Sequence, residues 1–209
     1  MTIQIKHYCR ILPNQFFLNG NKRFESTQKP VEIHSFFSEI YHHLGIDYRK
    51  FFKMDALSKA GFLASELLLS EFDREQPKED MGIIFFNQSS SLDSDETYQQ
   101  TIREKDNFFP SPAVFVYTLP NIVAGEIAIR HKIHGETAFY VLPRFQAGVI
   151  EETVKSAFHH TGLKYLLTGW IEIYKGEIDI CTMLCEAGEK GALVFNSANL
   201  GGLYTHFES

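Results

Sequence analysis

The sequence predicts an α/β layered fold built around a mixed sheet. Three observations carry this. Apolar runs of strand length alternate with helically spaced segments over most of the chain. The run Met81–Phe86 is apolar throughout, as a parallel strand buried on both faces requires. Three strand-like runs then follow one another near the end, which no purely alternating βα pattern gives.

The elements follow in order. Residues 2–8 (TIQIKHY) alternate and read as a strand, followed by a polar stretch with Asn and Gly up to about Pro30. Residues 34–44 have helical spacing, with Gly45 as the stop. Residues 54–73 give the strongest helical pattern. Met54, Leu57, Gly61, Ala64 and Leu68 form one stripe, and Phe62, Leu63 and Leu69 widen it, so this helix belongs in the interior. MGIIFFN (81–87) is the buried strand. The polar stretch after it passes into a surface helix, with Ser94 and Thr97 as capping residues and Asp95 and Glu96 suiting its dipole. NFFPSPAVFVYTLPN (107–121) holds three prolines and cannot form one regular element. Residues 121–133 read as a helix capped by Asn121, 137–142 as a strand and 147–160 as a helix. Residues 164–174, 179–187 and 191–197 read as strands. NLGGL (199–203) reads as a turn. No repeat or long linker divides the chain, so residues 1–209 are expected to form a single domain.

Composition narrows the functions. Of 209 residues 44% are hydrophobic and 19 are Phe, which supports a substantial core and leaves rings for a partner surface. The net charge of -6, with no basic block, argues against nucleic acid as a partner. No apolar run approaches the roughly 18 residues of a membrane span, and MTIQIKHYCR lacks the apolar core of a signal peptide. A cytoplasmic protein is expected, and the small, odd number of cysteines (Cys9, Cys181, Cys185) fits a reducing compartment.

The candidate sites are few. Cys181 and Cys185 lie four apart on a strand, about 13 Å at roughly 3.3 Å per residue, so they cannot share a metal and read as buried thiols. The pairs His42–His43 and His159–His160 sit near helix C-termini, where an imidazolium suits the dipole, and adjacent helical residues diverge. His131 and His134 have a spacing compatible with ligation but lack a visible third ligand. Glu151 and Glu152 read as a solvated helix face. No phosphate loop, zinc-protease or serine-elbow pattern is present, so no cofactor and no metal are expected. One feature has the shape of a site. GETAFYVLPRFQAG (135–148) reads as a strand running through a tight turn into a helix, the setting in which several folds raise a nucleophile. The turn here holds Pro143, Arg144, Phe145 and Gln146, none of them a usual nucleophile.

SPAVFVYTLPNIVAGEIAIRHKIHGETAFYV (111–141) resembles the segment that precedes the reactive cysteine of β-ketoacyl-acyl-carrier-protein synthases. Ser111, Pro112, Thr118, Asn121, Ala124, Gly125 and Gly135 occupy the places of that family's Ser-Pro, its Thr-x-x-Asn-x-x-Ala-Gly run and its closing glycine. FFKMDALSKAGFLASELLL (51–69), LLTGWIEIY (166–174) and EKGALVF (189–195) are similar to further family segments, in the right order. The resemblance implies a thiolase-like layered fold, of which this chain is the N-terminal half, with a mixed five-stranded type of sheet flanked by helices. It implies a degenerate nucleophile turn: Gln146 stands at the cysteine position if a short insertion follows Gly135, as in chain-length-factor subunits, and Arg144 without it. The family's catalytic histidines and lysine belong to the second half, so no catalytic residue is carried over. A lone half implies an apolar face needing cover, for which Phe108, Phe109 and Phe115 are candidates. Thr137–Leu142 is implied to pair across a dimer axis. Phe109, Phe115, Thr118, Asn121, Ile122, Phe139 and Tyr140 are then expected to line that interface or a partner's acyl tunnel.

Three functions remain open. The first is a non-catalytic, chain-length-factor-like subunit forming a heterodimer with a complete ketosynthase in fatty acid, polyketide or aryl-polyene chain assembly. It would meet acyl carrier protein only indirectly, being acidic itself. The others are an active acyltransferase using Cys181 or Cys185, and a self-associating homodimer with a binding role.

Overall fold

A computed structural model describes residues 2–27, 32–106, 108–189 and 193–206. Its centre is one sheet of eight strands: β1 (Ile3–Leu12), β2 (Gln15–Leu18), β3 (Asn21–Glu25), β4 (Met81–Asn87), β5 (Thr137–Val141), β6 (Tyr165–Tyr174), β7 (Glu177–Ala187) and β8 (Leu193–Val194). The strand order is β3-β2-β1-β7-β6-β4-β5, with β8 pairing to β1. β4 runs parallel to β5 and β6, and the β6–β7–β1 pairings are antiparallel. The helices are α1 (Ile33–His43), α2 (Ala56–Leu68), α3 (Leu92–Ile102), α4 (Pro112–Phe115), α5 (Ile122–His131), α6 (Ala147–Thr161) and α7 (Ser197–Thr205).

The sheet is mixed as expected, and larger. The five strands β5-β4-β6-β7-β1 are extended by β8 and by the hairpin β2–β3, which occupies the stretch read as irregular. That hairpin turns at Asn19 (φ 52) and Gly20 (φ 77), and Asn14 (φ 67) lies in the preceding turn from β1 into β2, residue types that tolerate this geometry. Its strands are short, and β3 carries Lys22, Arg23 and Glu25, which conceals the alternation.

Helices cover both faces. On one face α1, α2 and α5 bury Phe36, Phe62, Leu63, Val123 and Ile127 against Ile83, Phe85, Ile171 and Ile180. On the other, α6 and α7 bury Ile150, Val154, Phe158 and Leu200 against Ile84, Phe86, Leu166, Trp170 and Met183. The expectation of an uncovered sheet face is therefore corrected. The outward side of α6 is polar, with Glu152, Ser156 and His160 along it.

Local geometry places the core. Along β1, Ile3 and Ile5 face the α6 side whereas Cys9 and Ile11 face the α2 side, although all four numbers are odd. The bulge between Ile5 and His7 inserts the extra residue that exchanges the faces. In β6, Gly169 (φ +138) lets β7 approach so closely that a Cβ would lie 2.2 Å from the Cys181 carbonyl oxygen.

Other expectations change in detail. α2 ends at Leu68, five residues early, and all its residues except Leu67 are buried. α3 begins at Leu92, so Ser94 lies inside it and its hydroxyl donates to Asp55 Oδ2 (2.8 Å) instead of capping. Asn121 precedes α5 without a side-chain cap. NLGGL is helical, the centre of α7. Of the strand read over 191–197, Leu193–Val194 is β8, residues 191–192 lie outside the described residues, and Ser197 already begins α7. Glu151 is not merely solvated: its Oε2 accepts the Ser197 amide (2.6 Å) and ties α6 to α7.

Candidate functional site

β4 lies between β5 and β6, all three parallel. The chain leaves β4 for β5 over the α5 face and returns to β6 through α6 on the opposite face. The carboxyl ends of these strands therefore form a topological switch point, where open α/β sheets place their ligand crevices. The turn 142–146 stands there, held by the Leu142 amide on the Asn87 carbonyl (2.8 Å). Beside it, Glu172 Oε2 accepts the amides of Gln88 (2.6 Å) and Ser89 (3.1 Å).

Within the turn Arg144 is exposed and Gln146 is half-buried at the start of α6, where its side chain caps no amide. Phe145 is half-buried. Its ring stacks on Tyr204 (centroids 3.9 Å apart, 4° between planes) and meets Trp170 edge-on at 5.8 Å. No thiol stands at this turn. Cys9, Cys181 and Cys185 are free and buried in β1 and β7. Burial pushes all three thiols up, that of Cys181 to about 12, so none is a ready thiolate.

β5 is the edge of the sheet on this side, and among the described residues nothing pairs with its outer edge. It carries no charge. Tyr140 (42% exposed) and Val141 (52%) are open, and Tyr140 stacks on Phe86 at 5.4 Å. Phe139 points the other way and packs, half-buried, against the core on the α5 side. α5 packs against β5, with exposed Ile129, half-buried Ile122 and Gly125 at helical spacing. Ile122 also packs on the core. Asn121 is exposed, and Thr118 donates its hydroxyl to the Phe115 carbonyl (2.7 Å), closing the short turn between α4 and α5.

Residues 108–121 hold α4 and a 3-10 turn, as three prolines require, and residue 107 lies outside the described residues. Phe108, Phe109, Phe115, Val116 and Leu119 are all exposed, Phe109 by 74%. A cleft of about 230 Å³ lies beneath α4, lined by His34, Lys53, Asp55, Ser94, Val114 and Tyr117. In its wall, burial and then the Lys59 ammonium push the His34 imidazole down, in keeping with its Nδ1 lying 3.1 Å from Lys59 Nζ.

The structure separates the histidines. His131 is buried with Nε2 3.2 Å from Glu66, whereas His134 is exposed and bonds Glu79 at 2.7 Å. Among the described residues no three His, Cys, Asp or Glu side chains stand where they could share a metal. No single helix is long and apolar enough to cross a membrane.

Sequence reading missed the polar network behind the turn. The buried Arg10 guanidinium pairs with Asp179 and donates to the carbonyls of Ile180 (2.9 Å) and Tyr204 (3.2 Å). The Tyr204 hydroxyl donates to Asp179. Its only sequence signal is a charge within each of two apolar strands.

No protein-family model and no curated protein matches the chain. Solved structures do. The chain is similar to a chain of the ketosynthase ApeO in complex with its chain length factor ApeC from Xenorhabdus doucetiae, at 13% identity and TM-score 0.58, over 90% of this chain and 80% of that one. It is similar to the ishigamide ketosynthase/chain length factor at 16% identity and TM-score 0.59, over 92% of this chain and 64% of that one. A third likeness is to AntDE:AntF, a type II polyketide acyl-carrier protein with its ketosynthase, at 13% identity and TM-score 0.55, over 88% and 62%. The chain thus spans less than two thirds of the last two. With its mixed sheet between helical layers and its parallel core β5-β4-β6, the chain has the thiolase-like fold of ketosynthases and chain length factors.

Proposed function

We propose that this chain is a non-catalytic, chain-length-factor-like subunit that pairs with a complete β-ketoacyl-acyl-carrier-protein synthase during assembly of a polyketide, aryl-polyene or fatty acyl chain. The observation that carries this reading is the uncharged free edge of β5 beside exposed Ile129 and half-buried Ile122 and Gly125 of α5, a surface suited to another strand and helix. The turn at the end of that strand holds Arg144, Phe145 and Gln146, which agrees with a subunit that contributes geometry rather than a nucleophile. Burial of all three thiols weighs against the reading as an acyltransferase acting through Cys181 or Cys185. The exposed rings of Phe109 and Phe115 would then project into the partner's acyl tunnel and limit product length. Residues 1–209 would act as one ketosynthase N-terminal-like domain, and contact with acyl carrier protein would fall mainly to the partner.

Co-expression with a complete ketosynthase from the same organism, read by native mass spectrometry, tests the proposal. A one-to-one complex is expected, with condensation lost when this chain is omitted. A chain that pairs only with itself would replace the proposal with the homodimer reading.

A further inference from the structure

α7 has a sequence that should not hold a helix well. Gly201 and Gly202 sit at its centre, and each glycine weakens a helix interior. Its first half is anchored: Asn196 caps the Asn199 amide (2.8 Å), Glu151 holds the Ser197 amide and Leu200 is fully buried. Beyond the glycines Leu203 packs half-buried on the α6-side core, and Tyr204 makes contacts with Arg10, Asp179 and Phe145. Tyr204 gives its carbonyl to Arg10, its hydroxyl to Asp179 and its ring to Phe145, while the Arg10 guanidinium lies 5.0 Å above the same ring.

Phe145 belongs to the turn at the switch point, and the two rings are parallel and in contact. Among the described residues this stack joins the last turn of α7 to the turn that starts α6. The Arg10–Asp179 pair does not need Tyr204 to remain charge-balanced, so the seat persists when the ring leaves it.

We propose that α7 is a latch: a helix hinged at Gly201–Gly202 whose Tyr204 clamps Phe145 and keeps the turn 142–146 closed. The turn opens when the far half of the helix lifts. Segments of weak helix propensity with few buried apolar side chains are where a fold can open locally without unfolding, and among the described residues α7 has no buried side chain beyond Leu200. The inference concerns this chain alone and stands whether or not a ketosynthase partner binds.

Hydrogen exchange of the full chain by mass spectrometry tests it, with two variants acting in opposite directions. Gly201→Ala with Gly202→Ala stiffens the hinge, since neither added Cβ meets an atom within 4 Å. It should slow exchange in 142–149 roughly 10- to 30-fold along with 201–205. Tyr204→Ala should speed exchange in 142–149 by a similar factor while β4 and α2 stay protected. It should also change the emission of Trp170, the sole tryptophan of the chain, because Phe145 packs against its ring. Exchange in 142–149 that ignores both variants while 201–205 responds would overturn the latch. So would loss of protection throughout the sheet in Tyr204→Ala, which would make Tyr204 a global core residue.

Discussion

At Gly169 the backbone sits at φ +138 with the Cys181 carbonyl filling the space a side chain would need. Gly169→Ala combines backbone strain with a clash against main chain, which cannot rotate away. Urea unfolding should show a loss of about 3 kcal/mol or more. The glycine was legible as part of LLTGWIEIY, but its reason was not, because close approach between strands has no sequence signature. Phe109 and Phe115 show the converse. Their exposure follows from a proline-broken segment with too few polar residues to shield it. In the reconstituted complex, Phe109→Ala and Phe115→Ala should each shift product length more than total product, read by mass spectrometry. An unaltered product distribution in both would remove them from the tunnel.

Among the elements, α2 and α5 cross closely because Gly61 gives way to Val123, and an ion cluster fixes one end of that crossing. Glu66 is buried on α2 and meets Arg74 (2.8 Å), Arg130 (2.9 Å) and His131 (3.2 Å). Burial alone would raise its carboxyl, but the contacts from His131 and Arg130 outweigh burial and hold it down to about 2. A depressed carboxyl favours the folded state above its ordinary value of 4.5, and that contribution is lost as pH falls from there toward 2. The unfolding free energy should fall across this window, by at most about 3 kcal/mol, and denaturation midpoints with it. Glu66→Gln should lower stability at pH 7 and flatten the profile. α2 itself was readable because its apolar stripe dominates every local preference. α7 was misread because two glycines outweigh its cap in sequence, whereas Tyr204 and Glu151 decide the matter through partners 194 and 46 residues distant. The hairpin β2–β3 was missed for a similar reason: its strands are short and its outer residues charged, so pairing with β1 creates the pattern that the sequence does not display.

For the molecule as a whole, the sheet sets the terms of association. Val141 lies on the free edge and is half exposed, so Val141→Lys should leave thermal stability within about 0.5 kcal/mol. A charge there guards an edge against strand addition, and the variant should weaken complex formation at least tenfold by native mass spectrometry. A variant that still binds at full strength would move the interface away from β5. The overall layering was visible in the order of runs, and so was the switch-point turn. What remained hidden was α7, the second helix of that covering layer, since its residues read as the end of a strand and a turn.

The two margins of the sheet differ. β5 ends one side with an uncharged strand, while β3 ends the other with Asn21, Lys22 and Arg23 turned to solvent. A chain that could extend at both margins would stack copy upon copy into a ribbon without end. Under the proposed pairing this chain would accept a neighbour at the β5 margin alone, leaving its own charged margin facing outward. Growth would then stop at two, and the continuous sheet of such a pair would be a closed assembly rather than the start of a fibre.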